Sequence, residues 1–294
     1  MTVAKHDVVD YQGLSLHLTL YETGPQAPSL IFIPGMSTHA GLYSEAIPGA
    51  NYLAALAAER FNVIGLDLPG HGRSGGPRGL FTYRQLIGSI SRAVDYALQH
   101  YNDRVGVTGS SMGGILAFYA ALEDRRIRAA VCHNVVDLQD IHPILYLKRH
   151  SVIIRATEAT RAIGRHLTWL PIPVTVFLEP SHVFDRPENV RRWKADPLTV
   201  WAYRCSAWIS LFLNPADKPA VEGMAAPVRL IVGENDRILQ APYHRRFYER
   251  LSCKKDLVVV PQAGHMLPLE HMETTVPLVA GWFWENLDTS PNRV

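Results

Sequence analysis

Val105-Gly106-Val107-Thr108-Gly109-Ser110-Ser111-Met112-Gly113 joins a short apolar run to a Gly-x-Ser-x-Gly pentad, and a second apolar stretch, Ile115 to Leu122, follows. The first run reads as a strand buried on both faces and the second as a helix. A sharp strand-to-helix turn needs glycine two before and two after its central residue, because side chains there would collide with neighbouring backbone. Gly109 and Gly113 satisfy this around Ser111, whereas Ser110 is flanked at those positions by Thr108 and Met112. Such a turn lifts a hydroxyl to the carboxyl edge of a sheet and aims the following amide at the same space. Roughly 0.1 such pentads are expected by chance in a chain of this length and composition. The placement between strand and helix therefore counts for more than the pentad, and it makes Ser111 a candidate nucleophile.

Further short apolar runs surround this one. Leu30–Ile33, Asn62–Leu66, Ala129–Cys132, Val228–Val232 and Leu257–Val260 suit strands buried on both faces of a parallel sheet. Leu14 to Leu20 alternates strictly, which predicts an antiparallel strand with one wet face. Between them, Tyr83–Tyr101 carries Leu86, Ile87, Ile90, Ala93, Val94, Ala97 and Leu98 on one stripe, and Tyr243–Leu251 and Val276–Leu287 read as further helices. The alternation predicts a doubly wound α/β sheet whose ligands sit at the carboxyl ends of the strands. It breaks once, between Leu138 and Gly223, where the sequence turns helical, aromatic and proline-punctuated. This divides the 294 residues into a core, 1–137 with 224–294, and an inserted cap, 138–223, that covers the strand ends.

A serine hydroxyl becomes a useful nucleophile only when a histidine takes its proton and a carboxylate orients that histidine. Asp236 follows the Val228–Val232 strand in Gly233-Glu234-Asn235-Asp236, and Glu234 competes with it from nearer the strand end. His265 follows the Leu257–Val260 strand in Gln262-Ala263-Gly264-His265. Serine, acid and histidine thus occur in the chain order that this kind of sheet requires. His271 precedes a helix and reads as structural.

Composition excludes several other classes. At 47% hydrophobic and 19% charged residues, the chain has the apolar mass of a globular core. A net charge of +2 is too small to indicate nucleic acid as the main partner. Three widely spaced cysteines, Cys132, Cys205 and Cys253, fit free thiols in a reducing compartment. The first residues have no signal-type apolar stretch and no segment stays apolar over the ~20 residues of a membrane span, so a soluble, cytoplasmic protein is expected. Gly70-His71-Gly72-Arg73-Ser74-Gly75 matches a dinucleotide-binding spacing, but Gly76-Pro77-Arg78-Gly79 intervenes before the helix near Thr82, which argues against that use. Thirteen histidines include no metal-binding spacing. No cofactor or metal is expected. Lys148, Arg149, Arg155, Arg161 and Arg165, interleaved with aliphatic residues, suit a solvated cap helix or a peripheral contact with an anionic membrane surface.

Together these residues resemble the α/β-hydrolase superfamily, and within it the monoacylglycerol lipase, lysophospholipase and serine aminopeptidase-like branch. Ile33-Pro34-Gly35-Met36 is similar to the strand-end oxyanion loop of that family. His39-Ala40-Gly41-Leu42-Tyr43 resembles its H-x-G-x-Y stretch, Asp67 to Ser74 its D-x-x-G-x-G-x-S loop, and Ala195-Asp196-Pro197-Leu198 a D-P-L element of its cap. The chain departs from the usual pattern at Pro34 and Ser110, where the family commonly has histidine. The resemblance implies a mostly parallel, eight-stranded α/β-hydrolase fold with a helical cap. It implies Ser111 as nucleophile, His265 as base, Asp236 as its orienter, and the Met36 and Met112 amides as oxyanion donors. The implied substrate is a small, lipophilic carboxylic ester. A small aromatic-ester esterase, an aminopeptidase, a thioesterase and a carbon–carbon bond hydrolase would use the same triad, and a non-catalytic ligand receptor would have no chemical need of it.

Overall fold

The computed structural model describes residues 3–44, 47, 49–141 and 166–287. The basic run from Lys148 to Arg165 lies outside the described residues. Eight strands form one sheet: β1 (Lys5–Tyr11), β2 (Leu14–Tyr21), β3 (Ser29–Ile33), β4 (Asn62–Leu66), β5 (Val105–Ser110), β6 (Ile127–His133), β9 (Val228–Gly233) and β10 (Lys255–Val260). Their order is β1-β2-β4-β3-β5-β6-β9-β10. β1 with β2 and β2 with β4 pair antiparallel, and the other pairs are parallel. This is the mostly parallel, doubly wound sheet expected from the strand–helix alternation. β5 lies inside the sheet, next to β3 and β6, so the turn that leaves it opens at the centre of the carboxyl edge.

Period-two alternation sends successive side chains to opposite faces of the sheet. Ile31, Ile64 and Val107 pack with Leu86, Ile90 and Val94 of α2 (Tyr83–His100) and with Leu116 and Ala120 of α3 (Met112–Glu123). Leu30, Phe32, Val63 and Val131 pack on the other face with Leu53 and Leu56 of α1 (Tyr52–Ala58). α2 begins where Thr82 and Gln85 satisfy each other's amides in a capping box, which terminates the preceding glycine-rich loop.

Two strand expectations differ from what is observed. On the face of β2 expected to be wet only Ser15 is exposed: His17 and Thr19 are buried like their apolar neighbours. The Asp67–Ser74 loop covers this face: Ser74 Oγ accepts the His17 amide at 2.8 Å and the His17 ring lies 3.3 Å from Asp67. β10, read as buried on both faces, is mostly half-buried because it ends the sheet order and pairs only with β9.

Between β6 and β9, the described residues contain a separate two-stranded antiparallel pair, β7 (Pro171–Pro173) and β8 (Ala202–Arg204), and the helix α4 (Pro187–Ala195). α5 (Ala241–Arg250) follows β9 and α6 (Met272–Leu287) follows β10. Trp193, Tyr203 and Trp208 of the inserted segment are buried, while Trp169 and Phe177 are exposed. No helix among the described residues is long and apolar enough to cross a membrane.

Candidate active site

Ser111 sits in the turn between β5 and α3 with φ 56° and ψ −121°, a conformation sparsely populated for a residue with a side chain. Strain of this kind costs about 1–3 kcal/mol and persists only where the surroundings enforce it. The enforcement is visible in the two glycines. A Cβ on Gly113 would lie 2.0 Å from the Ile33 carbonyl oxygen, and one on Gly109 would lie 2.3 Å from the Gly113 oxygen. The Ser111 amide donates to the His133 carbonyl at 2.8 Å, and the Ser111 carbonyl accepts from Gly114 and Ile115 at 2.9 and 3.1 Å. Neighbouring strands therefore grip the turn from both sides. Ser110, by contrast, is fully buried, with its hydroxyl 3.7 Å from Met266 Sδ.

Asp236 and His265 are in direct contact. His265 Nδ1 lies 2.7 Å from Asp236 Oδ2, and both side chains are buried. A carboxylate only accepts, so Nδ1 carries a proton, and in the neutral imidazole Nε2 is then the lone pair. The loops bearing the two residues approach closely: Asn235 N–H donates to the Ala263 carbonyl at 2.9 Å, and a Cβ on Gly233 would lie 2.1 Å from Gly264 O. Asp236 Oδ1 accepts the Ile238 and Leu239 amides at 2.7 and 2.8 Å. Burial pushes the Asp236 carboxyl up, but the His265 charge and hydrogen bond with these amides outweigh it and hold it below the ordinary aspartate range. Glu234, the competing acid, instead accepts the Gln262 amide at 2.9 Å.

The loop after β3 closes the third side. A Cβ on Gly35 would lie 3.3 Å from Ser111 Cβ, so the loop after β3 runs directly beside the turn. Among the described residues, neither the Met36 nor the Met112 amide donates a hydrogen bond. Two unpaired N–H groups beside one half-buried hydroxyl can stabilise a negative oxygen that develops there. The Ser111 hydroxyl makes no hydrogen bond to His265 among the described residues; the two are linked through Ser110 and Met266, the neighbours of each. The described residues hold no cluster of three or more metal-ligating side chains.

Residues 24–272 match the family model described as serine aminopeptidase, S33. The chain belongs to the serine aminopeptidase S33 family of α/β hydrolases. Its fold is similar to that of the monoacylglycerol lipase of Paleococcus ferrophilus, with a TM-score of 0.72 at 22% identity over 92% of this chain and 98% of that one. It is also similar to a soluble variant of the monoglyceride lipase of Saccharomyces cerevisiae, with a TM-score of 0.78 at 12% identity over 97% of both chains. A protein of Mycobacterium phage D29 named "Putative non-heme haloperoxidase" is 30% identical over 166 residues, 56% of this chain. The S33-family chain thus spans about half, 55%, of the length of that relative.

Other motifs of this S33-family chain are accounted for structurally. The Asp67–Ser74 loop folds around its own carboxylate: Asp67 Oδ1 accepts the Ala40 amide at 2.7 Å and Oδ2 the Arg73 amide at 2.8 Å. A Cβ on Gly72 would fall 2.2 Å from Asp67 Oδ2, so this glycine makes room for an aspartate. His39 Nε2 lies 2.8 Å from Asp196 Oδ2, which joins the H-x-G-x-Y stretch to the D-P-L element across 157 positions of sequence. His271 lies 3.4 Å from Asp185. One site residue escaped the sequence reading. Asn134, at φ 72°, donates from Nδ2 to Asp236 Oδ2 at 2.8 Å. Its only signal is an asparagine just after a buried strand, the residue type that best tolerates positive φ after glycine.

Proposed function

We propose that this chain is a serine esterase that cleaves carboxylic esters with a hydrophobic acyl group through an acyl-enzyme. The observation that carries the reading is the buried His265–Asp236 hydrogen bond of 2.7 Å, which leaves Nε2 without a protein partner among the described residues, together with the strained turn at Ser111. In this mechanism His265 Nε2 takes the Ser111 proton as Oγ adds to the ester carbonyl. The Met36 and Met112 amides hold the resulting oxyanion, each contributing about 3 kcal/mol as donors in comparable sites do. The tetrahedral intermediate expels the alcohol, which receives the proton from His265. Water then adds to the acyl-enzyme with the same imidazole as base, releasing the acid and restoring Ser111. In this reading the inserted segment serves as the cap, and aromatic side chains of its described part meet the acyl chain.

The lipophilic preference draws on the two lipases of similar fold and on this aromatic insertion. Hydrolysis of 4-nitrophenyl esters from acetyl to palmitoyl, with a monoacylglycerol included, tests it. Turnover rising beyond butyryl supports the reading, and activity confined to acetyl and butyryl rejects it. Ser111→Ala is expected to reduce kcat by about 10⁴-fold or more with the fold intact. A fluorophosphonate that labels Ser110, or no residue of the native protein, would overturn the mechanism.

A further inference from the structure

The loop after β3 holds a strained residue of its own. Ser37, directly after Met36, is fully buried at φ 62°, and its peptide groups on both sides are hydrogen-bonded by the inserted segment rather than by the core. Its N–H donates to the Tyr203 hydroxyl oxygen at 2.8 Å, and its carbonyl accepts from Trp193 Nε1 at 3.1 Å. Tyr203 and Trp193 are each 1% exposed. The Tyr203 hydroxyl is itself oriented. It lies 2.8 Å from His71 Nε2, and His71 Nδ1 lies 3.0 Å from the Pro69 carbonyl. A carbonyl only accepts, so His71 carries its proton on Nδ1 and accepts at Nε2 from the Tyr203 O–H. Burial lowers the His71 pKa to about 4, so the ring is neutral near pH 7 and the direction of the chain is single.

Pro69 carbonyl, His71, Tyr203 hydroxyl and Ser37 amide thus form one directional relay. It leaves Tyr203 with its lone pair aimed at the Ser37 N–H. Backbone contact fixes the strand that carries Tyr203: Arg204 N–H donates to Gly79 O at 2.9 Å, and a Cβ on Gly79 would meet Ala202 O at 2.2 Å.

We infer that Tyr203, with Trp193, is a positioning residue that fixes the Met36 amide in the oxyanion hole by holding Ser37 in its strained conformation. The inserted segment then serves as part of the catalytic frame as well as a cover. The inference rests on the serine-esterase reading and is separable from it. Ser37 cannot keep φ 62° without compensation. A relaxed Ser37 turns the Met36–Ser37 peptide, and the Met36 backbone takes up that turn by tilting the Gly35–Met36 peptide, so the N–H it carries leaves its direction toward the reacting oxygen.

Tyr203→Phe deletes one oxygen and keeps the ring packing on His71, Phe81 and Trp208. With 4-nitrophenyl butyrate, the variant is expected to lose about tenfold or more in kcat, with KM within about threefold. Affinity for a trifluoromethyl ketone, which places an oxyanion in the same hole, falls by the same factor. Trp193→Phe gives the same split and serves if Tyr203→Phe does not fold. Wild-type kcat in a folded variant, a loss confined to KM, or an unchanged ketone affinity would each overturn the inference. Full activity of Ser111→Ala would instead overturn the esterase reading beneath it.

Discussion

A single carboxylate oxygen, Asp236 Oδ2, receives both the His265 ring at 2.7 Å and the Asn134 amide at 2.8 Å. Asn134 reaches it only by standing at φ 72° and by leaving its own Oδ1 buried without a hydrogen-bond partner. An orphaned buried acceptor costs about 1–3 kcal/mol, so both features weigh against stability and need a compensating role. The amide that Asn134 donates to Asp236 Oδ2 fits a role in supporting negative charge there. Asn134→Asp replaces the donor by a second acid at hydrogen-bond distance. Two carboxylates so close cannot both ionise cheaply, so the pair retains one proton to higher pH than Asp236 does beside an asparagine. The shared proton makes Asp236 a weaker acceptor for the His265 N–H, so kcat/KM at pH 7 is expected to fall by about tenfold. Wild-type kcat/KM in folded Asn134→Asp protein would show that residue 134 has no part in holding Asp236 as a carboxylate.

At the scale of elements, the Ser111 turn depends on β3 and β5 being adjacent. A Cβ on Gly113 would meet two successive carbonyl oxygens, of Ile33 at 2.0 Å and Pro34 at 2.5 Å, and neither can withdraw without breaking the β3–β5 ladder. Gly113→Ala is therefore expected to destabilise by about 3 kcal/mol or more, or to yield no folded protein. Gly281 in α6 is the opposite case, exposed and with no atom within 4 Å of where an alanine methyl would stand. Gly281→Ala should raise the thermal midpoint through about 0.5–1 kcal/mol of helix propensity. The pair of thermal melts checks both signs. These elements also show what a lone sequence reveals. The pentad and the loops after β9 and β10 were legible because each requirement is local: glycines at fixed offsets, or a polar loop after a buried run. β1, with four exposed residues at its start, and the short α1 carry too little periodicity to be read. The wet face expected for β2 failed because Asp67 and Ser74 supply polar partners from 50 and more positions away. Tyr203 and Trp193 were legible as cap aromatics but not as partners of Ser37, since their bonds to it span 166 and 156 positions.

At the scale of the whole molecule, three histidines are buried and neutral, and they lie in different parts of the carboxyl edge. His71 accepts from Tyr203, His133 Nε2 lies 3.0 Å from the Tyr52 hydroxyl, and His244 Nε2 accepts the Val135 amide at 3.1 Å. Burial lowers their pKa values to about 4, 3 and 4, against an ordinary 6.5. As pH falls below 6.5, the unfolded chain protonates these rings while the folded chain does not. The unfolded state then binds more protons, so stability decreases with falling pH and the decrease levels only near the folded values. Each ring adds up to about 1.4 kcal/mol per pH unit to that slope. Urea unfolding followed between pH 7 and pH 4.5 is expected to show a midpoint that falls steadily through this window. His133→Gln removes one titrating ring and should make the fall shallower by about one third, whatever it does to stability at pH 7. A midpoint that stays level from pH 7 to pH 4.5 would mean that these rings are hydrated or paired in solution. The close packing of the carboxyl edge around the candidate site would then be wrong.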